Sequence, residues 1–206
     1  MVEAATPRGP YAPGERRKER LLEALLRLIS REGLGAVSHR SVAAEAGIPA
    51  GSVTYYFPKR IDLVRGAFSD LARRQLDRIE ALLLDDLDTL DVEAVAALAT
   101  ENVFRELDED SAASARTEFE LILAISRDPD LAPEYRAFQQ RLADLQERGA
   151  RALGSVNPER DGRIFQAFLR GVQLEALAAH PEARRDPDQI RSDLVRLLEA
   201  LIEAST

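Results

Sequence analysis

The sequence predicts an all-α fold of nine helices, with a small N-terminal helix-turn-helix domain on a larger helical body. Three observations predict it. The chain is rich in Ala, Leu, Arg and Glu and poor in aromatics, a composition that favours helix. Apolar residues recur at three- and four-residue spacing, with no strand-like alternation and no internal repeat. Glycine and proline punctuate the pattern. Gly33, Gly47 and Gly154 stand where helices stop, and Pro133, Pro158 and Pro187 stand where a first turn tolerates proline.

Composition narrows the function. At 206 residues the chain is long enough for one sizeable core, or for a small domain and a larger one. It has no cysteine, which excludes disulfides, a thiol nucleophile and zinc-cysteine sites. Its two histidines, His39 and His180, are far apart in sequence. No apolar stretch approaches the ~18 residues of a membrane span, and the N-terminus has no apolar signal-peptide core. A soluble cytoplasmic protein with no membrane partner is expected. Net charge is −8, divided unevenly: residues 1–60 carry +4 and the remainder −12. A basic head on an acidic body lets one face approach phosphate while the rest is repelled from it. Of the 28 cations only Lys18 and Lys59 are lysines, but this bias runs through the whole chain and reads as genomic composition.

In chain order, residues 1–14 hold three prolines and two glycines and read as a mobile arm. Arg8 within it is a minor-groove candidate, although a plain disordered tail is the favoured reading. The first helix spans about 15–32, with Leu21, Leu25, Leu28 and Ile29 as its inward stripe. Arg16, Arg17, Lys18 and Arg20 crowd its N-terminus, the end at which the helix dipole disfavours cations. A nearby phosphate would relieve that conflict; a solvated charge run explains it equally well.

Residues 34–60 are the stretch that carries chemistry. Ser38 is a helix N-cap candidate. Val42, Ala43 and Ala46 share one face of the helix that follows. Gly47 takes the C-terminal position that wants positive φ, and Ile48 and Pro49 carry the turn. A second helix over about 51–57 points Val53 and Phe57 inward. Its outward side shows Ala50, Gly51, Ser52 and Tyr55, flanked by Thr54 and Tyr56. His39 and Arg40 open the preceding helix, and Lys59 and Arg60 follow. A short helix with small residues near its start can sink into a major groove, where hydroxyls, tyrosines and arginines meet bases and phosphates. Spacing alone leaves an ordinary pair of core helices equally open.

This stretch resembles the TetR family of bacterial transcription regulators. The resemblance rests on the run from Leu28 through Gly33, on SVAAEAGIPAGSV, and on Tyr55-Tyr56-Phe57-Pro58-Lys59-Arg60 with Leu63 behind it. It covers residues 15–64. Thr54 stands where the family usually has Tyr, Tyr56 where His or Tyr is usual, and Arg60 in place of the usual Lys. Thr54 is too short to reach as far as the Tyr that makes the phosphate contact expected of that position. The resemblance implies double-stranded DNA as partner, with His39, Arg40, Ala50, Gly51, Ser52, Thr54, Tyr55, Tyr56, Lys59 and Arg60 as the contacting set.

The remainder, 61–206, is expected to be the dimerisation and ligand-binding domain. A helix over about 60–84 is long enough to belong to both parts, and the family resemblance makes it the connector that transmits ligand state to the heads. Asp85, Asp86, Asp88 and Asp91 form an acidic loop. It lacks glycine-centred cation-loop spacing, so it reads as a solvated turn, and no metal or other cofactor is expected. Five further helices follow, at about 92–107, 112–126, 133–153, 158–179 and 187–204. The last two carry strong apolar stripes. The resemblance implies that they pair with their copies in a homodimer through Phe168, Gly171, Val172, Ile190, Leu194, Leu197, Leu198 and Leu201; intramolecular packing is the alternative. A two-fold dimer reads a palindromic operator. An apolar pocket for an unknown small-molecule effector can be drawn among Phe104, Phe119, Leu123, Phe138 and Phe165, with Asn102, Arg116, Glu120 and Gln173 as polar contacts, although for each of these residues a place in the core or on the surface is the favoured reading.

The resulting expectation is a homodimeric, sequence-specific repressor released from its operator by a ligand. The competing readings are an interaction scaffold without DNA binding and a metal-free helical-bundle enzyme. The enzyme has little in its favour. His39 lies beside Ser38 and Ser41, but no third partner completes a triad, and no Glu-x-x-His pattern is present.

Overall fold

The computed structural model describes residues 13–85, 91–107, 115–179 and 185–203. Among these residues it has nine α-helices and no strand. They are α1 (Pro13–Glu32), α2 (His39–Ala46), α3 (Ala50–Tyr56), α4 (Arg60–Asp85), α5 (Val92–Glu106), α6 (Ala115–Arg127), α7 (Ala132–Ala152), α8 (Pro158–Ala178) and α9 (Pro187–Glu203). Short 3-10 turns at Leu34–Ala36 and Pro129–Leu131 precede α2 and α7. The all-α expectation is met, with α1 starting two residues earlier than the sequence suggested. The arm up to residue 12, residues 86–90 of the acidic loop, and His180 lie outside the described residues. Asp91 is the N-cap of α5, accepting from the Ala94 amide at 2.7 Å.

Local chemistry fixes the first three helices. At the start of α2 the Ser38 hydroxyl accepts from the Ser41 amide (3.1 Å), and the Ser41 hydroxyl accepts from the Ser38 amide (2.9 Å). This reciprocal capping satisfies two donors that a helix start leaves free. Gly47 closes α2 at φ 65°, ψ 37°, a left-handed conformation that costs a side-chain-bearing residue energy. The chain then reverses, with the Ile48 amide donating to the Ala43 carbonyl at 3.1 Å.

Two apolar clusters follow. The first joins Leu21, Leu25 and Ile29 of α1 to Val42, Val53 and Phe57, continues through Leu63, Phe68 and Leu71 of α4, and ends on Leu121 of α6 and Phe138 and Leu142 of α7. The head's core therefore does not stop at residue 60. The second cluster packs α5 (Ala96, Val103) against Val172 and Ala176 of α8 and against Ile190, Leu194 and Leu198 of α9. The α7–α8 pair is tightly joined: a Cβ on Gly162 would lie 3.0 Å from Gln146 Cβ.

Candidate functional site

The first site is the outer face of α3. Val53 and Phe57 anchor it in the core. Ala50, Gly51, Thr54 and Tyr55 are exposed, Ser52 is half-buried, and Tyr55 reaches 80% exposure. Nothing lies within 4 Å of where a Cβ on Gly51 would sit, so the start of α3 is open to close approach. Thr54 spends its hydroxyl on the Ala50 carbonyl, 3.3 Å away in the same helix. The Tyr55 and Tyr56 rings meet edge to face at 5.1 Å, and the Tyr56 hydroxyl donates to the Gly14 carbonyl at 3.2 Å, tying α3 to the first turn of α1.

Other residues expected at this face have internal partners as well. His39 Nε2 donates to the Phe57 carbonyl at 2.6 Å, joining the start of α2 to the end of α3. Arg60 donates from Nε to the Val37 carbonyl (3.0 Å) and from Nη2 to the Leu34 carbonyl (2.9 Å). Both side chains thus brace the head. Arg40 and Lys59 are exposed, and the Lys59 amide caps against Asp62 Oδ2 at 2.8 Å. Arg16, Arg17, Lys18 and Arg20 are exposed on α1. Behind α2, Glu45 accepts from Arg31 at 2.9 Å and from Arg27 at 3.4 Å. The Arg31 hydrogen bond is the main reason its carboxyl titrates below the usual range.

The second site is a cavity of about 340 Å³ walled by α4, α5, α7, α8 and α9, with Leu83, Val103, Leu145 and Leu169 among its apolar lining. Of the residues expected to form a pocket, Asn102, Phe165 and Gln173 line it. Phe104 lines a smaller cleft of about 60 Å³ beside Val172 and Ile190. The structure puts the others elsewhere. Phe138 packs edge to face on Phe68, ring centroids 5.7 Å apart, inside the first core. The Phe119 ring lies 6.0 Å from the Arg170 guanidinium. Glu120 turns to the head and accepts from the Leu34 amide at 2.6 Å. Leu123 and Arg116 are exposed.

At the polar end of this cavity sequence reasoning named Asn102 and Gln173 but missed Gln75, Arg78 and Glu106. Gln75 and Arg78 of α4 line it. Buried Glu106 accepts from Asn102 Nδ2 at 2.9 Å, from Gln173 Nε2, and more distantly from Arg78 Nη2 at 3.5 Å. Burial, then repulsion from Glu118, pushes the Glu106 carboxyl up to about 7. Glu118 is itself paired with Arg170 at 2.7 Å. The one available signal was the i, i+4 spacing of Asn102 and Glu106, which is too common on helices to single out.

The residues expected at a dimer interface divide in two. Val172, Ile190, Leu194 and Leu198 are buried inside the protomer, in the second core. An apolar stripe demands burial but does not name its partner, and here α5 covers it. Phe168, Leu197 and Leu201 are half-buried and Gly171 is exposed. The outward face of α8 carries Ile164, Ala167, Gly171, Leu174 and Ala178, all exposed.

Comparison with known proteins agrees with this architecture. The model for the C-terminal domain of tetracyclin repressor-like proteins matches residues 90–204, and the model for bacterial regulatory proteins of the tetR family matches residues 21–67. The chain belongs to the TetR family. It is a TetR-family transcriptional regulator rather than an enzyme. The HTH-type transcriptional regulator PksA of Bacillus subtilis is 32% identical over 73 residues, 35% of this chain and 36% of that protein. The chain aligns with about a third of the length of the curated relatives it matches. Among solved structures, the multidrug binding protein EbrR complexed with ethidium is 26% identical, with a TM-score of 0.65 over 88% of this chain and 98% of that one. A transcriptional regulator from Rhodococcus sp. Rha1 has a TM-score of 0.74 at 20% identity, covering 91% and 97% of the two chains; it attests the fold alone.

Proposed function

We propose that this TetR-family chain is a homodimeric repressor that grips a palindromic operator through α3 and is released when an apolar small molecule fills the cavity. The observation that carries the DNA reading is the α3 face. Its anchors are buried, while Gly51, Ser52 and Tyr55 stand outward, flanked by the exposed cations Arg40 and Lys59. That arrangement suits a helix seated in a major groove. The dimer reading draws on the exposed α8 stripe, where Gly171 and four other small or apolar residues let a second helix come close.

The effector reading draws on position. The cavity has the size of a small-ligand site. One wall is α4, whose first turn is braced to the head through Arg60. A ligand that prefers one tilt of α4 shifts the equilibrium by its differential affinity for the two tilts and no more. The likeness to EbrR, solved in complex with ethidium, an aromatic cation, supports a cavity that takes a small aromatic molecule.

The test is selection of bound duplexes from a random pool, followed by titration of the winner at several salt concentrations. An inverted repeat bound ~10³-fold tighter than random DNA, with affinity falling steeply in salt, supports the reading. A single half-site winner removes the palindrome, and no enrichment removes the repressor.

A further inference from the structure

We infer that the cavity selects an apolar molecule bearing a carboxylate or an equivalent anion, which Arg78 and Gln75 hold from one face of α4. The inference rests on the cavity being the effector site and adds the ligand's charge. Arg78 Nε is buried from solvent and has no hydrogen-bond partner among the described residues. Among the described residues the guanidinium's one ion pair is the 3.5 Å approach of Nη2 to Glu106, longer than the ~2.8 Å of a well-formed charged bond. Gln75, one turn earlier on the same face, is buried at the cavity and makes no intrachain hydrogen bond among the described residues. Arg78 and Gln75, on adjacent turns, thus line an apolar chamber, and the Arg78 side chain keeps about a third of its surface accessible. A guanidinium at an apolar cavity with only a long ion pair is poorly compensated, and a ligand anion would supply the missing partner.

The carboxylates around the chamber are spent. Glu101 pairs with Arg105 at 2.7 Å, and Asp161 is held by Arg160 (2.8 Å) and by the Ser155 hydroxyl. Glu106 already receives Asn102 and Gln173. Among the described residues an organic cation therefore finds no lining carboxylate in want of a partner, whereas an anion finds a guanidinium held only by a long ion pair.

Glu106 is the group that must yield Arg78 to such a ligand. The charges facing it are Arg78 on α4, Glu118 on α6 and Arg170 on α8. With its carboxyl already pushed up to about 7, a second anion beside Arg78 raises it further. Binding at pH 8 then takes a proton onto Glu106, up to one per ligand. At pH 6 the carboxyl is already largely protonated and uptake is small.

Calorimetric titration of the full chain with decanoate and with decyltrimethylammonium tests this, because the two share a tail and differ in charge. Decanoate is expected to bind at least about 10-fold tighter. Proton uptake at pH 8, read in two buffers of different ionisation enthalpy, should shrink at pH 6. Arg78→Met should weaken decanoate about 10-fold, or about 1.4 kcal/mol, and leave the cation unchanged. Gln75→Leu should weaken decanoate by a smaller factor and provides a second variant should Arg78→Met fold poorly. Tighter binding of the cation, or decanoate affinity indifferent to both substitutions, overturns the charge assignment and leaves the cavity as a binding site. Failure of both probes to bind overturns the cavity reading with it.

Discussion

Glu120 of α6 accepts a 2.6 Å hydrogen bond from the Leu34 amide, 86 positions earlier in the chain, at the turn that leads from α1 into α2. The body thereby supplies an acceptor that the head's backbone lacks. Glu120→Ala leaves that amide without its partner, at a cost of ~1–3 kcal/mol. The expected outcome is faster hydrogen exchange at Leu34 and its neighbours, with the Val53 amide in α3 unaffected. Unchanged protection at Leu34 would sink the contact.

Gly66 faces Phe57 so closely that a methyl group cannot be added without movement. A Cβ there would sit 2.7 Å from Phe57 Cε1 and 3.2 Å from Leu22 Cδ2. Gly66→Ala should destabilise the protein by ~1–3 kcal/mol through overpacking, outweighing the ~1 kcal/mol that alanine gains in a helix. Denaturant unfolding reads the loss. Adding Phe57→Leu to Gly66→Ala should cost less than the two single changes summed, because one deletion makes room for the other.

Glu106 gives stability a pH dependence of unusual sign for a carboxylate. Its folded value is about 7 against an ordinary 4.5, so the folded state holds the proton more tightly than the unfolded chain. Stability contributed by this residue is intact below 4.5 and falls as pH rises towards 7. Glu106→Gln cannot ionise. The difference in unfolding free energy, variant minus parent, should rise across that window by up to ~3 kcal/mol. A flat difference between pH 4.5 and 8 would contradict the burial of this charge.

Three substitutions separate DNA contact from bracing in the head. Tyr55 is 80% exposed, so Tyr55→Ala should weaken duplex binding while costing at most ~1 kcal/mol of folding through its lost edge contact with Tyr56. Lys59→Ala should leave stability alone and flatten the salt dependence by about one unit. Arg60→Ala removes the donor of two bonds to the Val37 and Leu34 carbonyls, and should lower unfolding free energy by ~1–3 kcal/mol. Equal stability of the Lys59 and Arg60 variants would remove the brace.

The parts legible in the sequence are those governed by neighbours in the chain. Ser38, Gly47 and Pro49 dictate where α2 and α3 begin and end through bonds that span only a few residues, so the motif could be read to within a residue. The cavity could not be read that way. Gln75 and Arg78 are ordinary polar positions on a long helix until tertiary packing decides which side of α4 faces α5 and α8. Phe138 illustrates the converse: an aromatic suited to a pocket is drawn into the core because Phe68 and Tyr135 offer it more contact. Ile190, Leu194 and Leu198 are evident as a stripe, but hydrophobicity is non-directional, and α5 met it within the protomer.

The continuity of the first core from α1 through α4 to Leu121 and Phe138 bears on how this protein ends its life. Leu63, Phe68 and Leu71 of α4 pack in the same cluster as the head and the body. A protease that nicks α4 releases neither half as a finished piece, because each half would expose the surface the other covers. The head is therefore not expected to persist as a free folded fragment, and its removal is expected to go together with that of the body.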